Sequence, residues 1–425
     1  MNIGYACLAI AVPASDMKSC VLRNADEARL TALIGHNLDA LARLIDYNIQ
    51  NGIKLFRISS DLVPFGSSLA ADLPWPHLFA EKLAAIGKRI ADTGMRVSMH
   101  PGQYTVLNSP DVSVAARAVQ DLQYHARVLA ALGLGPGHKL VLHLGGVYGN
   151  KKQAMDRFIM NFRELEPAVQ NRLVLENDDG LFHIGDVLET AVAAGIPAVF
   201  DCLHHAVNPA NATDAELDWI RRCASTWRKQ DGAQKIHYSQ QNGDKKPGAH
   251  SESIAIDAFL DFYRQLAELD VDIMLEVKDK NLSALKCINC VSGRGISGRD
   301  ISILEAEWAR YKYSVLEHSP EHYQAIRQLL RDKSPSADPA LAMYQMIEAA
   351  LALPVAAGSA VNAAQHVWGY FKDKASASEK KRFQDLMQKF VSGENSLQNV
   401  KNHLLKLGRN YQEDYLLKGY YFYIK

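Results

Sequence analysis

A chain of 425 residues with 48% hydrophobic content can bury a large core, and an α/β barrel of ordinary size would leave roughly 100–175 residues over, so two domains are expected. Lys plus Arg and Asp plus Glu stand at 47 each, which excludes the strongly basic overall field of many nucleic-acid binders and leaves any polyanion contact to a local patch. The opening residues lack the basic start and apolar run of a signal peptide, and no stretch of about 18 uninterrupted apolar residues exists, so no membrane partner and a cytoplasmic location are expected.

In chain order, the first strand candidate covers residues 2–10 and contains Tyr5. An amphipathic helix follows from Glu27 to Gln50, with Leu30, Leu33, Ile34, Leu38, Leu41 and Ile45 on one face. The next strand candidates are residues 54–60, closing on Ser59-Ser60, then 96–100 with His100, and 139–145 with His143. After them come 172–177 with Glu176, 197–204 with Asp201 and His204, 233–239 with His237, and 272–279 with Glu276. Helical patterns lie between them, and strict alternation of this kind predicts a parallel sheet. Eight such units within about 300 residues predict an α/β fold of the closed (β/α)8 TIM-barrel type rather than an open doubly wound sheet, whose glycine fingerprint is absent after the first strand. Beyond about residue 305 the strand signals stop, and helices are expected at 301–315, 319–332, 338–351, 358–373, 377–391 and 395–407. The expected organisation is therefore a barrel domain over residues 1–300 and a small all-α domain over 305–425, with a linker near Gly293–Gly298.

The six cysteines are scattered, which fits reduced thiols. Only Cys287 and Cys290 have ligand-like spacing, and without a second pair they read as incidental.

A lone His at a strand end is ordinarily a hydrogen-bonded structural residue. Here His100, His143, His204 and His237 recur at corresponding points of successive units, interleaved with Glu176, Asp201 and Glu276. In a TIM barrel the strand C-termini converge on one mouth, so the set predicts a shared site. Imidazoles and carboxylates without thiolates suit manganese, zinc or iron, and several carboxylates allow two or three ions to share oxygens. Such a site suits phosphodiester hydrolysis and needs no nucleophilic side chain; no Gly-x-Ser-x-Gly elbow, P-loop or Rossmann fingerprint is present.

The strings Ile3-Gly4-Tyr5, Phe56-Arg57-Ile58-Ser59-Ser60, His100-Pro101-Gly102-Gln103-Tyr104 and His143-Leu144-Gly145-Gly146 come in this order. Leu175-Glu176-Asn177-Asp178, Asp201-Cys202-Leu203-His204-His205, Lys235-Ile236-His237-Tyr238-Ser239 and Met274-Leu275-Glu276-Val277-Lys278 follow. At these residues the chain resembles the ultraviolet-damage endonuclease family, related in fold to the endonuclease IV nucleases, over about residues 1–300. The resemblance implies a DNA repair endonuclease that nicks 5′ to photoproducts in double-stranded DNA, with manganese as the expected metal and zinc as the alternative. It implies that His100, His143 and Glu176 hold a first ion, that Glu176, Asp201, His237 and Glu276 hold a second, and that His204 and His250 hold a third. Lys235 matches a position where a lysine can be carboxylated and act as an acidic ligand; a phosphate-facing cation is its other reading. Glu176, Lys235 and Glu276 are thus the catalytic candidates. Gln103 and Tyr104 resemble a wedge that fills the gap left by two extruded bases, with Tyr5 lining the same pocket. Phosphate contacts are expected from Lys278 and Lys280, together with Lys151-Lys152 and Lys245-Lys246. The family pattern has a histidine in the loop that here reads Pro64-Phe65-Gly66-Ser67-Ser68, a departure of one polar group near the site.

The strings Trp308-Ala309-Arg310-Tyr311-Lys312-Tyr313 and Asn362-Ala363-Ala364-Gln365-His366-Val367-Trp368 resemble an uncharacterised bacterial helical domain, whose protein partner, if it has one, the sequence does not reveal. Two other functions fit part of the pattern: a metal-dependent sugar isomerase or epimerase on the same barrel, and a non-catalytic lesion-binding scaffold.

Overall fold

A computed structural model describes residues 1–211, 213–295, 300–332 and 338–424. Eight parallel strands close into one barrel in sequence order. They are β1 (Ile3–Ala6), β2 (Leu55–Arg57), β3 (Arg96–Met99), β4 (Lys139–His143), β5 (Leu173–Glu176), β6 (Ala198–Asp201), β7 (Gln234–Tyr238) and β8 (Val271–Leu275). β1 pairs with both β2 and β8, so no edge is left open.

Side chains alternate in and out along each strand. Among the inward ones, Val141, Val174 and Val199 form one apolar cluster, and Ala6, Leu55 and Met274 another. One step toward the strand C-termini on β4, β5 and β6 the same parity presents His143, Glu176 and Asp201. One step toward the N-termini the interior is charged: Arg96 pairs with Asp272 at 2.6 Å, and Lys139 with Asp231 at 2.5 Å.

The strands are shorter than expected, and three of them, β1, β2 and β6, are stopped by a local device. Cys7 adopts φ 70°, a left-handed conformation that ends β1. Ser59 caps the short turn Ser60–Leu62 through the Asp61 N–H. The expected strand over 197–204 is corrected at its end, because Asp201 is the N-cap of a helix, Cys202–Val207, its Oδ1 accepting the His204 N–H at 2.7 Å. That helix turns His204 back over the barrel mouth.

By internal contacts the chain divides into two compact units. The first is Met1–Ala9, Ala14–Ile254 and Ala258–Leu285; the second is Ile10–Pro13, Ala255–Asp257 and Lys286–Lys425. The second unit is helical, with helices Ile301–His318, Pro320–Arg331, Pro339–Leu351, Ala357–Trp368, Ala377–Val391 and Leu397–Asn410 and a last turn at Asp414–Leu417. They pack around Ala363, Val367, Phe371, Phe383, Leu404 and Leu416. Inside it the buried Lys401 ammonium meets Glu317 at 2.6 Å, and Lys286 meets Glu348 at 2.5 Å. Residues 296–298 of the expected linker lie outside the described residues. Cys287 and Cys290 are buried and are not joined in a disulfide. No helix among the described residues is long and apolar enough to cross a membrane.

Candidate metal centre at the barrel mouth

Glu176, at the end of β5 and 1% exposed, is the hub of the mouth. Its Oε2 lies 3.0 Å from His100 Nε2 and 3.6 Å from His143 Nε2, and its Oε1 meets His237 Nδ1 in a short contact. His237 Nδ1 is also 3.3 Å from Glu276 Oε1. Three groups of ligand-bearing side chains result, each with its donor atoms within 4.8 Å of one another: His100, His143 and Glu176; Glu176, Asp201 and His204; Glu176, His237 and Glu276. Glu176 belongs to all three.

Burial pushes the Glu176 carboxyl upward, but the pull of His237 and His143 and the hydrogen bonds from His100 and His237 outweigh it, holding it well below the usual carboxylate range. Burial likewise works upward on Glu276, and the Arg57 guanidinium and His237 bring it below the usual range. Burial pushes His237 down to about 4, with Glu176 opposing, and it also lowers His143. Both imidazoles are therefore neutral near pH 7 and offer lone pairs. Burial pushes the Asp201 carboxyl up to about 8, and for the His204 imidazole the nearby Asp201 and Glu176 overcome burial and push it to about 9. Asp201 Oδ2 is buried with no hydrogen-bond partner, an uncommon state for a carboxylate oxygen and one that a cation would relieve. Imidazoles, carboxylates and this orphaned oxygen together fit divalent cations.

Of the eight metal candidates, seven fall in the three groups. Asp201 pairs with His204 rather than with His237 and Glu276, which departs from the expected partition. His250 stands at the border, its Nε2 3.7 Å from Glu276 Oε2 and its ring 6.5 Å from His204.

Gln103 and Tyr104 project from the β3 loop, Tyr104 being 71% exposed. Beneath them a buried network ties this loop to the metal ligands. Thr105 Oγ1 donates to Asp121 Oδ2 at 2.6 Å, and the His125 ring, one turn further along the same helix, Val112–Ala131, lies 2.9 Å from Ser60 Oγ. Ser60 Oγ in turn donates to the His100 carbonyl at 2.9 Å, and Tyr124 of that helix donates to the Ser60 carbonyl.

Four expectations need correction. Tyr5 does not line the mouth: it is fully buried, its hydroxyl donating to Asn48 of helix Glu27–Gln50 at 2.8 Å. Its parity faces the helical layer rather than the interior. Lys235 is inside the barrel and 1% exposed, so it is no phosphate-facing cation; burial, with Arg96 and Arg57 nearby, holds its amine well below the usual lysine range. Lys151 and Lys152 are taken up by Asp186 and Glu189, and Lys245 by Glu252. Lys278 remains exposed and forms no ion pair among the described residues.

Arg57 was missed as a site residue. Its guanidinium bonds Glu276 and donates toward His237 Nε2 at 3.1 Å, making it the counter-charge of that corner. The signal was available: Arg57 shares the inward parity of Leu55, two residues earlier on β2.

Comparison with known proteins bears on the same residues. A family described as UV-endonuclease UvdE matches residues 1–304, and one described as a protein of unknown function, DUF1722, matches residues 312–424. A relative from Clostridium perfringens (strain 13 / Type A), a UV DNA damage endonuclease, is 38% identical over 333 residues, covering 78% of this chain and 80% of the relative. Another of the same description, from Bacillus cereus (strain Q1), is 32% identical over 282 residues, 66% of this chain and 88% of its own. The solved structure of SacUVDE is similar with a TM-score of 0.65 at 34% identity, covering 69% of this chain and 98% of that one.

Proposed function

The chain belongs to the UV-endonuclease UvdE family, and from that premise we propose that it is a DNA repair endonuclease nicking the phosphodiester 5′ to ultraviolet photoproducts in duplex DNA, assisted by two or three divalent ions, manganese first and zinc second. The observation that carries this reading is the buried Glu176 carboxylate shared by three ligand groups at the barrel mouth. His100 and His143 with Glu176, Asp201 and His204 with Glu176, and His237 and Glu276 with Glu176 would hold the ions, with His250 completing the rim. Bound there, the ions would bring the pKa of a water toward about 7 and offset the charge gathering on the phosphate.

The protein's own groups supply the rest. Glu176 and Glu276 stay anionic, and neutral His237 and His143 present lone pairs, so these four ligands are already in the protonation state a dication requires, whereas Asp201 and His204, pushed up to about 8 and about 9, would release protons as an ion binds. Burial holds the Lys235 amine well below the usual lysine range, which favours the free amine that carbon dioxide needs in order to form a carbamate with loss of a proton, and that would turn it into an acidic group of the interior. Exposed Gln103 and Tyr104 enter the stack where the damaged bases leave it, at the few kcal/mol that extrusion costs. Lys278 meets the backbone phosphate. A sugar isomerase has no use for that exposed loop. The reading includes a cytoplasmic location and leaves the partner of the helical domain open.

The test is incubation with irradiated and unirradiated oligonucleotides, with manganese or with chelator. A lesion-dependent nick only in manganese is expected; cutting that ignores irradiation, or persists in chelator, overturns the reading.

A further inference from the structure

Tyr148 stands on the loop that follows β4, five residues after the metal candidate His143, and is unusual in four independent ways. Its backbone is left-handed at φ 50°, a region where a bulky side chain is an outlier and Gly or Asn is at home. Its ring is nonetheless 47% exposed, so the conformation is not explained by burying it. The ring lies on Gly146, where a Cβ would come 2.8 Å from it, so only glycine lets the ring sit there. The Arg157 guanidinium, from helix Lys151–Arg163, stands over one face of the ring, 5.5 Å from its centroid, and backs it there.

This loop is joined to the one that carries Tyr104. The buried Asn108 donates to the Gly146 carbonyl at 2.8 Å and accepts from the Gly146 N–H at 3.2 Å, while Arg157 Nε donates to the Asn108 carbonyl at 3.0 Å. Large apolar side chains stand exposed on the segments after β1 to β5, among them Leu8, Leu22, Leu69, Tyr104, Tyr148 and Leu181. Of these only Tyr104 and Tyr148 present an aromatic face.

A strained, exposed and immobilised ring is the form expected of a stacking platform. The geometry points to Tyr148, backed by Arg157, as a second aromatic contact for nucleic acid, one that holds a base already outside the helix, whereas Tyr104 fills the space the base has left. This inference rests on the function proposed above and adds to it a residue that takes no part in metal binding.

The two roles separate on different substrates. A wedge matters only in a duplex, but a platform for an unstacked base serves a single strand equally. Tyr148→Asn removes the ring while keeping a residue that tolerates the left-handed backbone, and Tyr148→Phe keeps the ring. For Tyr148→Asn the half-saturating concentration of irradiated DNA should rise about five- to 150-fold, the range for losing one stacked base, and by a similar factor for duplex and for single strand. Its metal content should be unchanged and its melting temperature equal or higher, because the strain is relieved; Tyr148→Phe should behave as the wild type. Wild-type half-saturation in Tyr148→Asn, or a lower melting temperature that marks the ring as structural, overturns the inference. Loss confined to duplex would assign Tyr148 to the wedge and overturn it too. Wild-type protein that fails to nick irradiated DNA at all would instead bring down the proposed function.

Discussion

Replacing Glu176 by Gln keeps the shape of the side chain and removes one charge from the most shared position of the mouth. Folding should survive it. Removing one member of a buried ion pair costs about 3–5 kcal/mol when it strands a buried charge, but here the imidazoles it would strand, His237 and His143, are pushed toward neutrality by their own burial. Metal binding should not survive. Even an outer hydrogen-bonding partner of a metal ligand is typically worth about 10- to 100-fold in affinity, and Glu176 is a direct candidate in all three groups. If each group loses at least that factor, full loading falls by roughly 10³- to 10⁶-fold, or about 4–8 kcal/mol. Asp201→Asn and Glu276→Gln each touch one group and should lose about 10- to 100-fold. Elemental analysis after desalting gives the metal content, titration of cleavage with manganese gives the loading curve, and thermal melting of metal-free protein checks the fold. Glu176→Gln protein that loses no more metal than Asp201→Asn would refute the idea of a shared bridging carboxylate.

Three further outcomes are expected. Gln103→Ala with Tyr104→Ala should leave metal content unchanged and weaken damaged duplex by about five- to 150-fold, from stacking worth about 1–3 kcal/mol per base, while a damaged single strand suffers much less; equal losses would argue against a wedge. His138, whose Nδ1 accepts the Val97 N–H at 3.1 Å, is pushed down to about 4 by burial first and then by Arg172 and Arg96. Its folded value thus lies below the unfolded one near 6.5, so its contribution is present above about pH 6.5 and is lost as pH falls through about 4, at most about 3 kcal/mol and less for partial exposure. His138→Gln should accordingly flatten the pH dependence of urea unfolding over that window, and an unchanged slope would remove His138 from the account. A chain ending near Arg299 should still bind metal and cleave, but melt lower, since buried Lys286 and Asn289 lose Glu348 and Tyr344; a folded, metal-loaded and wholly inactive product would make the helical domain part of the active unit.

The eight strands were legible because each is a short apolar run between helical patterns, and the barrel closes them in that order. Their ends were not, since they depend on single residues: the left-handed Cys7, the capping Ser59 and the capping Asp201. The convergence of the strand-end His and carboxylate residues on one mouth was legible from their recurrence alone. Tyr5 was misplaced because an overlong first strand hid its parity, and Arg57 was not legible because a guanidinium binds no metal and its role follows only from meeting Glu276 and His237 across the barrel. Lys151 and Lys152 misled for another reason. Their partners Asp186 and Glu189 lie more than thirty residues away, beyond any local pattern, although Lys152 also meets Asp156 one helical turn on.

Helix Val112–Ala131 has a consequence of a different kind. Asp121 of that helix holds the loop of Gln103 and Tyr104 through Thr105, and His125 holds the His100 carbonyl through Ser60, so one rigid body is the mooring of both. Free energy passed between two binding events through a common anchor must be symmetrical. Whatever factor damaged DNA adds to metal affinity, the metal must return to damaged DNA. Substituting Asp121 should shrink both factors together, leaving an enzyme whose two ligands no longer sense one another.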